Sequence, residues 1–168
     1  MIIYISIFAV VLFIIVQLFW QVQLSEIKGG VSREVKENSS QVIDIIKRNI
    51  RNVDEVNVND SLFGISPGVL VLSDNGGQIT IDTYTKNVPV GSEYINIRKL
   101  RLAESGYSTT DITSDKVNVT NFELSNLTQS GTSTVLIDLT ISSLNNTDDL
   151  VYDDEISIRT SVTTRKEI

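Results

Sequence analysis

The sequence predicts an α+β protein in which a long N-terminal helix packs on a mostly antiparallel β-sheet head. Three observations support this prediction. The first 20 residues contain no charged side chain, apolar residues then recur at helical spacing as far as Val53, and no helical period appears after residue 56. Beyond that point, alternating segments rich in Thr, Val and Ile predict strands. The predicted divisions are a transmembrane or assembly helix (residues 1–20), an amphipathic extension (residues 21–56) and a β-rich head (residues 57–168).

The N-terminal apolar segment, residues 1–20, is long enough to cross a membrane. A helix of this length spans roughly 30 Å, the thickness of the hydrocarbon core of a bilayer. No basic residue precedes Lys28, and no small-residue cleavage site follows the apolar run. A retained helix is therefore favoured over a cleaved signal peptide. We expect Trp20, at the end of the run, to lie at the membrane interface or to pack between helices.

The same segment is a candidate surface for packing against other apolar helices. Small residues and shape govern such packing inside a membrane. Ser6 and Ala9 are the only small residues of the segment, and their spacing places them on one helical face. The residues assigned to membrane and assembly contacts are Ile3, Tyr4, Ser6, Ile7, Ala9, Val10, Phe13, Ile14 and Trp20.

The amphipathic extension predicts a helix that continues from the membrane into the head. Its apolar residues recur in steps of three, four or seven at Leu24, Ile27, Val31, Val35, Val42, Ile46, Ile50 and Val53. The last four form the face that we expect to cover the sheet, since the head must bury one apolar face. Gly29 and Gly30 together cost a helix interior about 2 kcal/mol relative to alanine. They predict a kink or a short unwound stretch.

Six alternating segments predict the strands of the head. They are residues 69–72, 78–84, 94–102, 116–127, 134–141 and 155–162. Residues 74–77, with the sequence Asp-Asn-Gly-Gly, predict a hairpin turn, and the alternation slips once at residues 121–122. We therefore predict a single sheet of about five or six strands.

Composition disfavours several classes of function. The net charge of -7 argues against nucleic-acid binding and against adsorption to anionic lipid. The chain has neither cysteine nor histidine, and it contains no nucleophile elbow, phosphate-binding loop or dinucleotide fingerprint. We expect no enzymatic activity and no cofactor. Four acidic residues could bind calcium, although their spacing does not match an EF-hand and a solvated acidic loop is favoured. They are Asp148, Asp149, Asp153 and Asp154.

The order of these elements resembles that of the minor pilins of type IV pili and the pseudopilins of type II secretion systems. Residues 2–12 are similar to the body of a prepilin N-terminal helix, and residues 44–53 to the passage of that helix into the head. Residues 112–122 resemble the segment that opens the penultimate hairpin of many minor pilins. The family's basic leader, glycine and Phe-Thr-Leu-Ile-Glu run are not in this sequence. The family's glutamate would fall immediately before Met1, so we expect the true start to lie upstream.

The resemblance implies a pilin-like fold and a structural subunit that assembles with other pilin or pseudopilin subunits. It also implies an inner-membrane anchor with the head outside the cytoplasm. Taken alone, the basic residues that follow the apolar segment favour the opposite orientation. The alternatives are an extracytoplasmic binding or adhesin domain that is tethered and never polymerises, and an archaeal pilin-like protein. The residues do not separate pilus, secretion and DNA-uptake machines.

Overall fold

Helix α1, Ile2–Asn52, is the longest element of the fold. The computed structural model describes residues 2–74, 77–90, 93–128, 133–144 and 154–164, with the main chain alone at Ile27. The helix continues through Gly29 and Gly30, so the unwound stretch predicted there is wrong. Helix propagation is cooperative, and good helix-forming sequence on both sides offsets the cost of two glycines.

The head contains eight strands among the described residues. They are β1 (Glu55–Val56), β2 (Leu70–Asp74), β3 (Gly77–Val90), β4 (Glu93–Glu104), β5 (Thr110–Asp111), β6 (Val117–Asn126), β7 (Thr134–Ser143) and β8 (Glu155–Thr163). All pair antiparallel, in a five-stranded sheet of order β1-β2-β3-β4-β5 and a three-stranded sheet of order β6-β7-β8. The α+β class is confirmed, whereas the single sheet of five or six strands is wrong.

The sheets separate where β4 meets β6, because side chains replace the main-chain ladder there. The N–H of Arg98 donates to Oδ1 of Asn118 at 2.8 Å, where a paired strand would supply a carbonyl oxygen. The bulge of β6 lies close by, with a register shift between Val119 and Asn121. This shift is the slip that the alternation predicted at residues 121–122. A bulge bends its strand, and β6 pairs with β7 on both sides of this one.

The C-terminal half of α1 closes the core by packing mainly on β7 and β8. The four residues predicted to cover the sheet are all buried: Val42, Ile46, Ile50 and Val53. They belong to one apolar cluster with Phe122, Leu139 and Ile141, among others. The hydroxyl of Ser39, buried in the same face, donates to the Val35 carbonyl oxygen at 2.7 Å, so the core accepts it without an unpaired polar group.

Two polar contacts hold α1 where it enters the head. Oδ1 of Asn38 accepts a hydrogen bond from the N–H of Ser114 at 3.0 Å. Nζ of Lys116 lies 3.2 Å from Oε1 of Glu34. Both partners belong to the link between the two sheets, residues 112–116. The helix is therefore fixed to the head from Glu34 onward, and Val35 is the first fully buried side chain among those of α1 that the structure describes.

Candidate membrane and assembly segment

The N-terminal part of α1 projects from the head, and its side chains are exposed. From Ile2 to Glu26 every side chain is exposed, including Tyr4 at 80% and Trp20 at 67%. At 1.5 Å per residue, the stretch from residue 2 to residue 34 extends about 50 Å. Among the described residues this is the one helix long and apolar enough to cross a membrane.

The exposed surface is apolar all around the helix. Large apolar side chains occupy neighbouring positions on every face, and the most apolar window has none of its surface buried. A helix that is apolar on all sides requires an apolar environment, either lipid or other apolar helices. The nine residues assigned to membrane and assembly contacts all lie on this surface.

Ser6 is accommodated within the helix itself. Its hydroxyl donates to the carbonyl oxygen of Ile2 at 2.9 Å. A polar group in hydrocarbon is costly only when it lacks a partner. Ser6 can therefore enter lipid or a helix bundle, and the face it shares with Ala9 allows close approach of a second helix.

A charged cluster in the head, which the sequence did not predict, centres on Lys99. This Lys99 cluster consists of Tyr84, Lys86, Lys99, Asp111 and Asp115. Nζ of Lys99 lies 2.9 Å from Oδ2 of Asp111 and also contacts Oδ1 of Asp115, while the lysine is only 2% exposed. Oη of Tyr84 donates to Oδ1 of Asp111 at 2.7 Å, and Nζ of Lys86 lies 2.9 Å from Oδ2 of Asp115.

A second pair extends the cluster along the hairpin of β3 and β4. Nε and Nη2 of Arg101 donate to the two carboxylate oxygens of Asp82 at 2.7 and 2.8 Å. The guanidinium lies 5.2 Å from the ring centroid of Tyr84. Asp111 and Asp115 flank residues 112–114, so the cluster ties the link between the sheets to the β3–β4 hairpin. The same link also holds α1 through Asn38.

Lys99, Asp111 and Asp115 remain ionised near neutral pH. Hydrogen bonds from Lys99 and Lys86 lower the pKa of Asp115. Burial alone would raise the pKa of Asp111, but hydrogen bonds from Lys99 and Tyr84 outweigh it and lower the value. Burial likewise opposes the charge of Lys99, and the two carboxylates outweigh it and raise the pKa of the amine. Lys99 is thus protonated, and the cluster is a structural tie without a free nucleophile.

We expect Lys99→Met to lower the stability of the head at pH 7 by about 2 kcal/mol, because two carboxylates lose their buried partner. The lowered pKa values of Asp111 and Asp115 contribute stability above their unfolded value of about 3.9, and this contribution disappears as the pH falls through the folded values. The difference in stability between the variant and the wild type should therefore become smaller as the pH falls from 5 to 2. Thermal unfolding of the full chain in detergent, followed by circular dichroism, measures it.

The matched control for this prediction is Lys36→Met, which removes an exposed lysine from α1. It should change stability by less than about 0.5 kcal/mol at either pH. If Lys99→Met is destabilised by the same amount at pH 7 and at pH 2, the ionic role of the cluster is contradicted.

The predicted calcium ligands fall mostly outside the described residues. Asp148, Asp149 and Asp153 lie outside them, and only Asp154 is described. The N–H of Asp154 donates to Oγ of Ser143 at 3.0 Å, and its carbonyl oxygen accepts from the Ser143 N–H at 2.8 Å. Within the described ranges no group of three or more His, Cys, Asp or Glu side chains could hold a metal ion. The calcium site stays a prediction.

Comparison with known proteins assigns no family to this arrangement. No family model matches the chain, and neither a curated protein nor a solved structure matches it.

Proposed function

We propose that this chain is a structural subunit of a type IV pilus-like or type II secretion filament, and that it assembles through its N-terminal apolar segment. The observation that supports this best is the continuity of α1. One unbroken helix carries a bare apolar surface at one end and supplies a buried face of the head at the other. In such a subunit the position of the head follows the position of the helix.

The continuity of α1 also favours this function over a tethered binding domain. A tether needs only to hold a domain near the membrane, and a flexible linker does this as well as a helix. Here the helix is attached to the head by its apolar face and by the contacts of Asn38 and Glu34. A stiff connection of this kind is useful when neighbouring heads must be placed in a regular array.

Assembly by such a subunit follows from the chemistry of the apolar segment. Each large apolar side chain transferred from lipid to water would cost about 1.5–3 kcal/mol. The segment can therefore leave the inner membrane only when other apolar helices replace the lipid. Lipid and helix are equally apolar, so close packing decides the contact. The face of Ser6 and Ala9 offers the closest approach, and the extracytoplasmic head contacts neighbouring heads.

Cysteine cross-linking in the native cells tests this proposal, and the absence of natural cysteine makes its outcome unambiguous. In the full chain, Ala9→Cys should form disulfide-linked dimers on mild oxidation, because Ala9 lies on the close-packing face. Val11→Cys, on the opposite face of the same helix, should form at least about fivefold less dimer. The chain should also appear in sheared filaments examined by electron microscopy.

Three outcomes would count against the proposal. The first is that the chain remains entirely in the membrane fraction under conditions in which filaments form. The second is that neither cysteine variant cross-links, which is the behaviour expected of a tethered domain. Equal cross-linking at both positions would indicate random collision in the membrane.

A further inference from the structure

Gln17 is a polar residue inside the apolar segment of α1. No charged side chain occurs between Ile2 and Ser25, and Gln17 precedes the first one, Glu26, by nine residues. Side chains of a helix lean toward its N-terminus, so Gln17 leans away from the charged end of the segment. Whether lipid or other apolar helices surround the segment, water is excluded, and a polar group there is costly unless it is hydrogen-bonded.

Other polar side chains of α1 are satisfied within the helix, and that of Gln17 is not. The hydroxyl of Ser6 donates to the Ile2 carbonyl oxygen at 2.9 Å, and the amide of Asn49 donates to the Ile45 carbonyl oxygen at 2.8 Å. The Gln17 amide is exposed and forms no hydrogen bond with any residue that the structure describes. In an apolar environment its partner therefore has to come from another molecule.

Gln17 shares the helical face on which Ser6 lies. Eleven residues separate the two positions, which is about three turns of 3.6 residues, so their side chains point to the same side of α1. This is also the face on which Ser6 and Ala9 allow a second helix to approach closely. A helix that packs there passes beside the Gln17 amide.

We propose that the Gln17 amide pairs with the Gln17 amide of a second copy of this chain, and that this contact fixes the depth at which two α1 helices align. Copies inserted in one membrane share one orientation, so parallel helices place Gln17 at the same depth in both. An amide is both donor and acceptor, so each Gln17 satisfies the other across a two-fold axis. A helix that is apolar at this depth would leave the amide unpaired.

The two heads have room beside such a contact. The head is fixed to α1 from Glu34 onward, about 25 Å along the helix from Gln17. Membrane helices that cross at about 40° diverge on both sides of the crossing point. At Asp44, about 40 Å beyond Gln17, the two helix axes would be roughly 30 Å apart, which is about the diameter of a small domain.

Association of the full chain in phosphatidylcholine vesicles tests the proposal. Arg48→Cys places a single thiol at an exposed position of α1, because the chain has no natural cysteine. Energy transfer between donor-labelled and acceptor-labelled copies then measures their association. Gln17→Leu, which is close in volume and has no amide, should weaken association about three- to tenfold. Gln17→Asn keeps an amide and should stay within about twofold of the wild type.

Two further measurements separate a paired amide from other causes. Gln23→Leu removes an amide that lies about 120° away around the same helix, and it should associate as the wild type does. Mixed pairs of the wild type and Gln17→Leu should associate no more tightly than two copies of Gln17→Leu, because a single amide has no partner across the axis.

The Gln17 pairing rests on the proposed assembly through the apolar segment, but the two fail in different experiments. Equal association of Gln17→Leu and the wild type would overturn the pairing, as would wild-type copies that do not associate. Mixed pairs that associate more tightly than pairs of Gln17→Leu would show that the amide bonds to another group, and they would overturn it too. Cross-linking at Ala9 and the presence of the chain in filaments decide the proposed function without reference to Gln17.

Discussion

Ile46→Asp is expected to unfold the head of the full chain. Ile46 is fully buried in the middle of the α1 face that covers β7 and β8. A carboxylate at this position would have no charged or polar partner, and burying an unpaired charge costs far more than a small head can tolerate. Ile46→Ala should show the same effect in graded form and destabilise the head by about 2–5 kcal/mol. Circular dichroism and amide hydrogen exchange of β7 and β8 in detergent measure both variants.

Two substitutions on the same helix serve as controls. Ile46→Val removes one methylene and should cost only about 0.5–1.5 kcal/mol. Arg48→Ala changes an exposed residue and should lie within about 0.5 kcal/mol of the wild type. If Ile46→Asp melts within about 2 °C of the wild type, α1 does not pack on the sheet at this position.

The double variant Val10→Lys/Phe13→Lys is expected to lose stable insertion in the membrane. Each lysine near the centre of a membrane helix costs about 2.5–3.5 kcal/mol, and each also removes an apolar contribution. The two sites lie one turn apart, so their charges also repel each other. Extraction of membranes with alkaline carbonate should release the variant and retain the wild type. The head should fold normally, since residues 10 and 13 are exposed and distant from it.

The control for this prediction adds the same charge outside the apolar segment. Ser25→Lys/Ser32→Lys changes two exposed positions of the same helix, and it should remain in the membrane fraction. Retention of both double variants would mean that the apolar segment does not hold the chain in the membrane. Release of both would mean that added charge alone extracts the chain.

Strands with a long alternating pattern were predictable within a few residues. β6, β7 and β8 begin and end within two residues of the predicted segments, and the bulge in β6 lies at the predicted slip. β3 was predicted to end at residue 84 and continues to Val90, because pairing with β4 extends it beyond its own alternation. β1 and β5 are two residues long, too short to show a period, and arise only because β2 and β4 offer an edge.

The Lys99 cluster shows what local pattern cannot predict. In an alternating strand a lysine is expected to face solvent, yet Lys99 is buried. Its burial depends on Asp111 and Asp115, which follow in a separate segment and are brought to it by the pairing of β4 with β5. The sequence feature that corresponds to this cluster is a pair of aspartates four residues apart after a strand. Many solvated loops contain aspartates at the same spacing, so the feature does not predict a buried lysine.

The sequence by itself determined the N-terminal apolar segment, the long helix and the apolar face of residues 42–53. Each of these depends on composition or period within one continuous stretch of chain, where neighbouring residues specify the result. Only the tertiary structure decided the division into two sheets and the burial of Lys99. These features depend on which groups of distant segments meet in the fold. The periodicity of a single segment does not determine which partners satisfy its hydrogen bonds.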